Sequence, residues 1–229
     1  MRTSPTLSNR FEISWPRPAA EARTRPAKRA FDFIAAALGL LVLAPLFAIV
    51  AALIKGHDGG PVFFRQTRIG RFGEPFRIWK FRTMAVDAGM RGGSLTIGRD
   101  PRVTRPGSWL RQTKLDELPQ LINVLRGEMS LVGPRPEVPR YVELYDEEAR
   151  RVLDLMPGIT DPASIAFRDE SSLLGEAADP EAFYVSRIMP AKIRLNLDYA
   201  RRANLWTDVV VILQTLFPWI AGPAPPPEP

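Results

Sequence analysis

The chain has 229 residues, 31 Lys and Arg against 25 Asp and Glu for a formal charge of +6, one histidine and no cysteine. That length suits one compact catalytic domain, and the positive balance favours a polyanionic partner: nucleic acid, an anionic membrane face or a phosphorylated substrate. The missing cysteines exclude a disulfide scaffold, thiolate zinc and a cysteine nucleophile, and the single His57 excludes a multi-histidine metal centre and disfavours a Ser-His-Asp triad.

Residues 1–27 mix Pro, Ser and Arg without periodic apolar positions and read as a disordered leader. The run FDFIAAALGLLVLAPLFAIVAALI, Phe31 to Ile54, is roughly 24 residues long, enough to cross a bilayer at about 1.5 Å per residue. Pro45 near its centre predicts a kink or break in a membrane-embedded helix over residues 28–55. Lys28 and Arg29 before the run and Lys55 after it leave no charge asymmetry, so the residues fit either a kinked membrane-spanning anchor or a segment with both ends on the cytoplasmic side. Asp32 is costly in lipid and calls for a partner, Arg29 being the adjacent cation. His57 reads as an interfacial residue without a catalytic role.

Beyond the run, PVFFRQTRIG and EPFRIWKFRTM, separated by the turn Gly70 to Gly73, predict a β-hairpin. Its cations Arg65, Arg68, Arg77, Lys80 and Arg82 suit a diphosphate, lipid headgroups or plain solvation. Asp87 to Arg105 predicts a long loop. Leu115, Leu118, Ile122 and Leu125 predict a helix over Thr113 to Arg126 capped by Gly127. A second helix is predicted from about Val138 to Met156, ended by Pro157-Gly158, with further helices around Glu181 to Arg201 and Leu205 to Trp219. The last, with Trp206, Phe217 and Trp219, suits a membrane–water interface or packing on the hairpin. GPAPPPEP predicts a disordered tail over 221–229.

The fold class expected is α+β, an N-terminal membrane helix followed by a small, mainly helical catalytic domain over 56–220 with a hairpin and interfacial amphipathic helices. Its sharpest feature is TKLDELPQLINVLRGEMSLVGPRPE, Thr113 to Glu137. Asp116-Glu117 fits a helix start, with Thr113 and Asp116 in a capping pattern and Pro119 in the first turn. The same placement suits a nucleophilic carboxylate beside a bound phosphate, with Glu117 holding a magnesium ion whose other ligands are phosphates and water. Arg135, between two prolines, is a rigidly mounted guanidinium suited to a phosphate or to a surface turn.

The motifs KRAFDF, PVFFRQTRIG, FRIWKFRTM, DPRVTRPGSWLRQTKLDELPQLINVLRGEMSLVGPRPE and MPGIT, in this order over roughly Ala27 to Thr215, resemble the bacterial sugar transferase family, the monotopic polyprenyl-phosphate phosphoglycosyl transferases that start surface polysaccharide and glycoprotein assembly. The resemblance implies Asp116 as nucleophile toward the sugar-proximal phosphate of a nucleotide sugar, a UDP sugar by expectation, and Glu117 as its Mg2+-associated partner. It also implies Arg111 and Arg135 as phosphate contacts, a re-entrant helix broken at Pro45, and undecaprenyl phosphate as acceptor of the phosphosugar from an aspartyl intermediate. Inner-membrane seating, with the domain on the cytoplasmic side, inner-membrane lipids and downstream glycosyltransferases as partners and no nucleic acid, follow from the same resemblance. A membrane-tethered nucleic-acid binder and a non-catalytic adaptor are the alternatives. Two positions depart from the family pattern: Ala44 stands before the proline where Ser is common, and Asp161-Pro162-Ala163-Ser164-Ile165 follows MPGIT where many members continue with Gly-Trp. The chain reads as the minimal catalytic form.

Overall fold

The computed structural model describes residues 26–88 and 100–220. The predicted leader, apart from its last two residues, the tail and most of the predicted Asp87–Arg105 loop lie outside them. The architecture is α+β, as expected: a long N-terminal helix, short helices, and two separate two-stranded sheets.

Helix α1, Pro26–Asp58, is 33 residues long and apolar enough to cross a membrane. Its helical assignment runs through Pro45 without interruption. A proline removes one donor and crowds the carbonyl four residues back, which a long helix absorbs as a bend without ending. One face of α1 packs along the domain. Ala36 joins Ile78, Leu121, Val124 and Met129, while Val50 and Ile54 join Phe81 and Leu110. The opposite face is bare, with Leu41 73% and Val42 74% exposed.

Charges fix the start of α1 differently from expectation. Asp32 is buried and accepts from the Leu131 amide at 3.1 Å, not from Arg29. Arg29 instead donates to the Val124 and Leu125 carbonyls at 2.6 and 3.0 Å, satisfying C-terminal groups of the helix that precedes Gly127. Lys28 donates to Asp208 at 2.6 Å and to the Val132 carbonyl at 3.2 Å. At the far end Asp58 pairs with buried Arg82.

The hairpin forms as predicted: β1, Phe63–Ile69, pairs antiparallel with β2, Pro75–Phe81, in the register Phe63 to Phe81 and Arg65 to Trp79. The turn uses Gly73 at φ +77° and Phe72 at φ +59°. The outer edge of β2 is covered by one side chain. Asn123, fully buried, accepts from the Trp79 amide at 2.9 Å and donates to the Arg77 carbonyl at 2.9 Å, standing in for a third strand.

The predicted helix over Thr113 to Arg126 begins at Leu115 and has two parts, a 3-10 turn and an α-helix, and an unpredicted helix precedes it. Helix α2, Arg105–Gln112, starts at the Thr104 N-cap and ends at Thr113. Lys114 then takes a left-handed conformation, φ +57°, and a 3-10 turn spans Leu115–Gln120 before α3, Leu121–Arg126. The Thr113 capping arrangement does not form, because its hydroxyl donates back to the Trp109 carbonyl at 2.9 Å. Gly127 does cap α3, at φ +80°.

The second predicted helix is also broken, into α4, Pro139–Val142, α5, Glu147–Arg150, and a 3-10 turn over Arg151–Asp154. Unforeseen is a parallel pair: β3, Ser130–Val132, beside β4, Gly158–Thr160. It depends on backbone contact between Gly133 and Gly158. A Cβ on Gly133 would lie 2.1 Å from the Met156 carbonyl oxygen, and one on Gly158 would lie 2.1 Å from the Gly133 nitrogen.

Helix α6, Pro162–Ala166, is capped by fully buried Asp161, which accepts from the Ser164 amide and hydroxyl at 3.0 and 2.5 Å. After α7, Glu170–Glu176, the chain is helical from Pro180 to Arg202, as α8, Pro180–Phe183, a π-helical turn Tyr184–Ile188 and α9, Met189–Arg202. These elements bury Tyr141, Tyr145, Phe167, Leu174, Tyr184 and Ile188 in the largest core. Helix α10, Leu205–Leu216, opens on an Asn204–Thr207 capping box. Its buried Asp208 receives Lys28, while Trp206 and Leu216 remain exposed.

Candidate active site

The 3-10 turn carries Asp116 and Glu117 against β2. Because side chains alternate across a strand, β2 sends Lys80 toward this turn while Trp79 and Phe81 face away. Lys80 donates to Glu117 Oε1 at 2.8 Å. Arg135 comes from the Gly133–Glu137 loop, which is set by main-chain bonds from Gly133 N to the Thr160 carbonyl and from Gly158 N to the Pro134 carbonyl, both 3.0 Å. Arg135 grips Glu117 with both terminal nitrogens, Nη1 to Oε2 at 2.9 Å and Nη2 to Oε1. The rigid mounting expected of the two prolines is therefore present, and its first partner is a carboxylate.

Arg111, on α2, donates Nε to Thr83 Oγ1 at 2.9 Å and lies within electrostatic reach of Asp116. Arg68 enters from β1. It donates to the Pro136 carbonyl at 3.2 Å and to Gln66 at 3.0 Å, and Glu137 lies 3.8 Å away. Glu137 in turn accepts from the Tyr184 hydroxyl of the π-helical turn. Gathered around Asp116 and Glu117 are thus Arg68, Lys80, Arg111 and Arg135, with Glu137 beside Arg68, four cations for three carboxylates.

The two carboxylates are pushed in opposite directions. Burial, then the neighbouring Glu117 charge, raise Asp116 above the ordinary aspartate value, against Lys80, Arg111 and Arg135. Burial also opposes ionisation of Glu117, but Arg135 and Lys80 override it and hold that carboxyl well below the usual range. Burial lowers the pKa of Lys80, with Glu117 acting against it. Glu117 is the fixed anion of the site. Asp116, though buried, accepts no hydrogen bond from the described residues. A desolvated carboxylate without donors, ringed by cations, is suited to attack a phosphorus whose oxygens those cations hold.

A divalent ion fits within limits. No cluster of three or more His, Asp or Glu occurs among the described residues. Asp116 is unencumbered, and Glu117 Oε2 accepts one donor, which leaves it a second lone pair. Two carboxylates are enough for magnesium when phosphates complete the shell.

Sequence reasoning identified Asp116, Glu117, Arg111 and Arg135, and the fold brings all four together. It left Lys80 and Arg68 undivided from the other hairpin cations, although strand alternation separates them from Arg65 and Arg77. It missed Glu137 and Tyr184, whose partnership joins elements far apart in sequence. It also missed Gln120, fully buried three residues after Glu117, on the same side of a 3-10 turn, with neither amide atom hydrogen-bonded to a described residue. Pro45 and His57 lie on α1, apart from this cluster in the chain.

With this geometry in place, comparison with known proteins is direct. The family model described as bacterial sugar transferase matches residues 23–222. The chain is 38% identical over 201 residues to the UDP-glucose:undecaprenyl-phosphate glucose-1-phosphate transferase of Escherichia coli K12, covering 84% of this chain and 40% of that protein. It is 38% identical over 205 residues to the exopolysaccharide production protein ExoY of Rhizobium meliloti, covering 83% of this chain and 84% of the relative. It is 36% identical over 200 residues to an Aeromonas hydrophila UDP-N-acetylgalactosamine-undecaprenyl-phosphate N-acetylgalactosaminephosphotransferase, covering 85% of this chain and 44% of that protein. The chain thus spans less than half the length of two of these relatives and most of the third. A match across the site and both sheets, at this identity, places the chain in the bacterial sugar transferase family.

Proposed function

We propose that this protein transfers a sugar 1-phosphate from a nucleotide sugar to undecaprenyl phosphate through a phosphosugar carried on Asp116. The observation that carries the reading is the unpaired, buried Asp116 carboxylate amid Arg68, Lys80, Arg111 and Arg135, beside a Glu117 held ionised by Lys80 and Arg135. An Asp116 oxygen attacks the sugar-proximal phosphorus and the bond to the leaving nucleoside monophosphate breaks. An oxygen of the acceptor phosphate then attacks the same phosphorus and releases the Asp116 carboxylate. Arg111 and Arg135 orient the phosphate oxygens, and the cation excess offsets the charge that develops on them. Magnesium, held by Asp116 and Glu117 with the phosphates, would supply further charge neutralisation. The relatives' names, with a UDP donor and an undecaprenyl phosphate acceptor, support these substrate classes.

Incubation with nucleotide sugar radiolabelled in the sugar, without acceptor, leaves label on the wild-type protein and none on Asp116→Asn. Full turnover by Asp116→Asn would overturn the mechanism.

The same reading seats α1 in the inner membrane with both ends cytoplasmic. At about 1.5 Å per residue a straight helix of this length runs about 50 Å, well beyond a hydrocarbon core of about 30 Å. Yet Lys28 near its start and Asp58 at its end are both ion-paired to the one domain. A helix that enters and leaves by one face, turning near Pro45, satisfies both pairs. Cysteines introduced before Lys28 and after Asp58 are then labelled from the cytoplasmic side alone, and periplasmic labelling of the first would establish a full span.

A further inference from the structure

On the face of the hairpin that turns away from Lys80, two guanidinium groups flank one indole. Arg65 lies 4.3 Å and Arg126 5.5 Å from the Trp79 ring centroid. Neither arginine has a carboxylate partner among the described residues. Arg65 Nε and Trp79 Nε1 are buried without a hydrogen-bond partner, although Arg126 is exposed and Arg65 and Trp79 are partly so. A third cation, Arg29, reaches the same helix end, its Nη2 3.3 Å from where a Gly127 Cβ would stand. Like charges concentrated this way, with unmet donors, favour an anion between them.

The surroundings select the kind of anion. Trp79 continues into a chain of ring contacts, through Phe63 at 5.4 Å and Phe81 at 5.4 Å to Phe47 of α1 at 5.0 Å. Phe63 of this stack is exposed. Aromatic rings mixed with arginine at the margin of an apolar helix are the composition of a membrane–water boundary. Strand alternation sets the stack on the far side of the sheet from Lys80, so a phosphate held here does not reach Asp116.

We infer that Arg65, Trp79 and Arg126 form a seat for the phosphate of an anionic phospholipid, distinct from the seats of both reacting phosphates. This rests on the proposed seating of α1 in the bilayer. The guanidinium forks grip the headgroup oxygens, the indole Nε1 donates to the same group, and the acyl chains run along the bare face of α1. A lipid fixed here holds the hairpin, and with it Lys80, at a constant depth relative to the membrane.

The test uses the full chain in uncharged detergent, with binding of short-chain phosphatidylglycerol and phosphatidylcholine followed by native mass spectrometry. Arg65→Gln/Arg126→Gln is expected to weaken phosphatidylglycerol binding about thirty-fold, from about 1 kcal/mol per arginine at an anionic surface. Phosphatidylcholine binding and nucleotide-sugar labelling of Asp116 stay unchanged. Arg65→Lys/Arg126→Lys, which keeps charge and stem, is expected to stay within about five-fold of wild type and guards against misfolding. Unchanged phosphatidylglycerol affinity in the Gln variant overturns the seat. So does equal competition by inorganic phosphate, or displacement of phosphatidylglycerol by undecaprenyl phosphate one for one. Loss of Asp116 labelling in wild type would instead strike the proposed reaction and leave the lipid result standing.

Discussion

Replacing Glu117 by Gln tests the charge arithmetic of the site. Glu117 accepts from Lys80 at 2.8 Å and from Arg135 at 2.9 Å and through a second, shorter contact, and its side chain is only 16% exposed. Glutamine keeps the shape but not the charge, and its amide nitrogen turns a donor toward a cation. The ratio of four cations to three carboxylates, counting Glu137 beside Arg68, becomes four to two. Removing one partner of a buried ion pair costs about 3–5 kcal/mol, because the remaining charge is left buried and uncompensated. Taking the lower end, about 3 kcal/mol, for partners that retain some solvent contact, the thermal midpoint falls by about 6–12 °C for a domain of this size. Thermal unfolding of the detergent-solubilised variant, read by circular dichroism, gives that number. The pH profile of Asp116 labelling gives a second: loss of the Glu117 charge lowers the Asp116 pKa, so the acidic limb moves to lower pH. A midpoint within about 2 °C of wild type, or an acidic limb shifted upward, would refute the assignment of Glu117 as the fixed anion between Lys80 and Arg135.

Asp116 behaves in the opposite sense. Its folded-state pKa lies above the ordinary value of 3.8, so the fold binds the proton more tightly than the unfolded chain and loses stability as pH rises through that interval. Asp116→Asn removes this penalty, and its thermal midpoint at neutral pH is expected at or above wild type while covalent labelling disappears. In the wild type, labelling declines as pH falls through the raised Asp116 pKa, measured from initial rates across a pH series. Asn123→Leu strands the Trp79 amide and the Arg77 carbonyl, each costing about 1–3 kcal/mol when buried unpaired; hydrogen exchange at Trp79 is expected to accelerate with the fall in midpoint. Gly133→Ala sets a methyl 2.1 Å from the Met156 carbonyl oxygen, which forces β3 and β4 apart and moves Arg135. Both stability and labelling are expected to fall together in that variant, a loss read from one preparation.

The hairpin shows what a local pattern conveys. Branched and aromatic residues around a glycine-bearing turn are sufficient signal, because a two-stranded unit is closed by its own turn. The long apolar helices were legible for the same reason, with α1 and α10 visible in their apolar runs. The helix read over Thr113 to Arg126 is helical from Leu115 to Arg126, but its first half is a 3-10 turn. Apolar spacing of three and four is nearly the same for an α-helix and for a 3-10 turn joined to one, and Lys114 in a left-handed conformation separates this stretch from α2. The parallel strands were hidden because each is three residues long and its partner is about 28 residues away in the chain.

Sequence by itself bounded the chemistry available: without cysteine, and with one histidine, it rests on carboxylates, Arg and Lys, and the family resemblance pointed to Asp116, Glu117, Arg111 and Arg135. It also determined that an apolar helix stands before the domain. Only the tertiary structure decided that Glu117 is clasped by Lys80 and Arg135 while Asp116 is left without a donor, and that both ends of α1 are tied to one domain. Local spacing encodes which side chains share a face. Which of two adjacent carboxylates meets the cations depends on elements that are neighbours only after folding, and that contact fixes which one is held ionised.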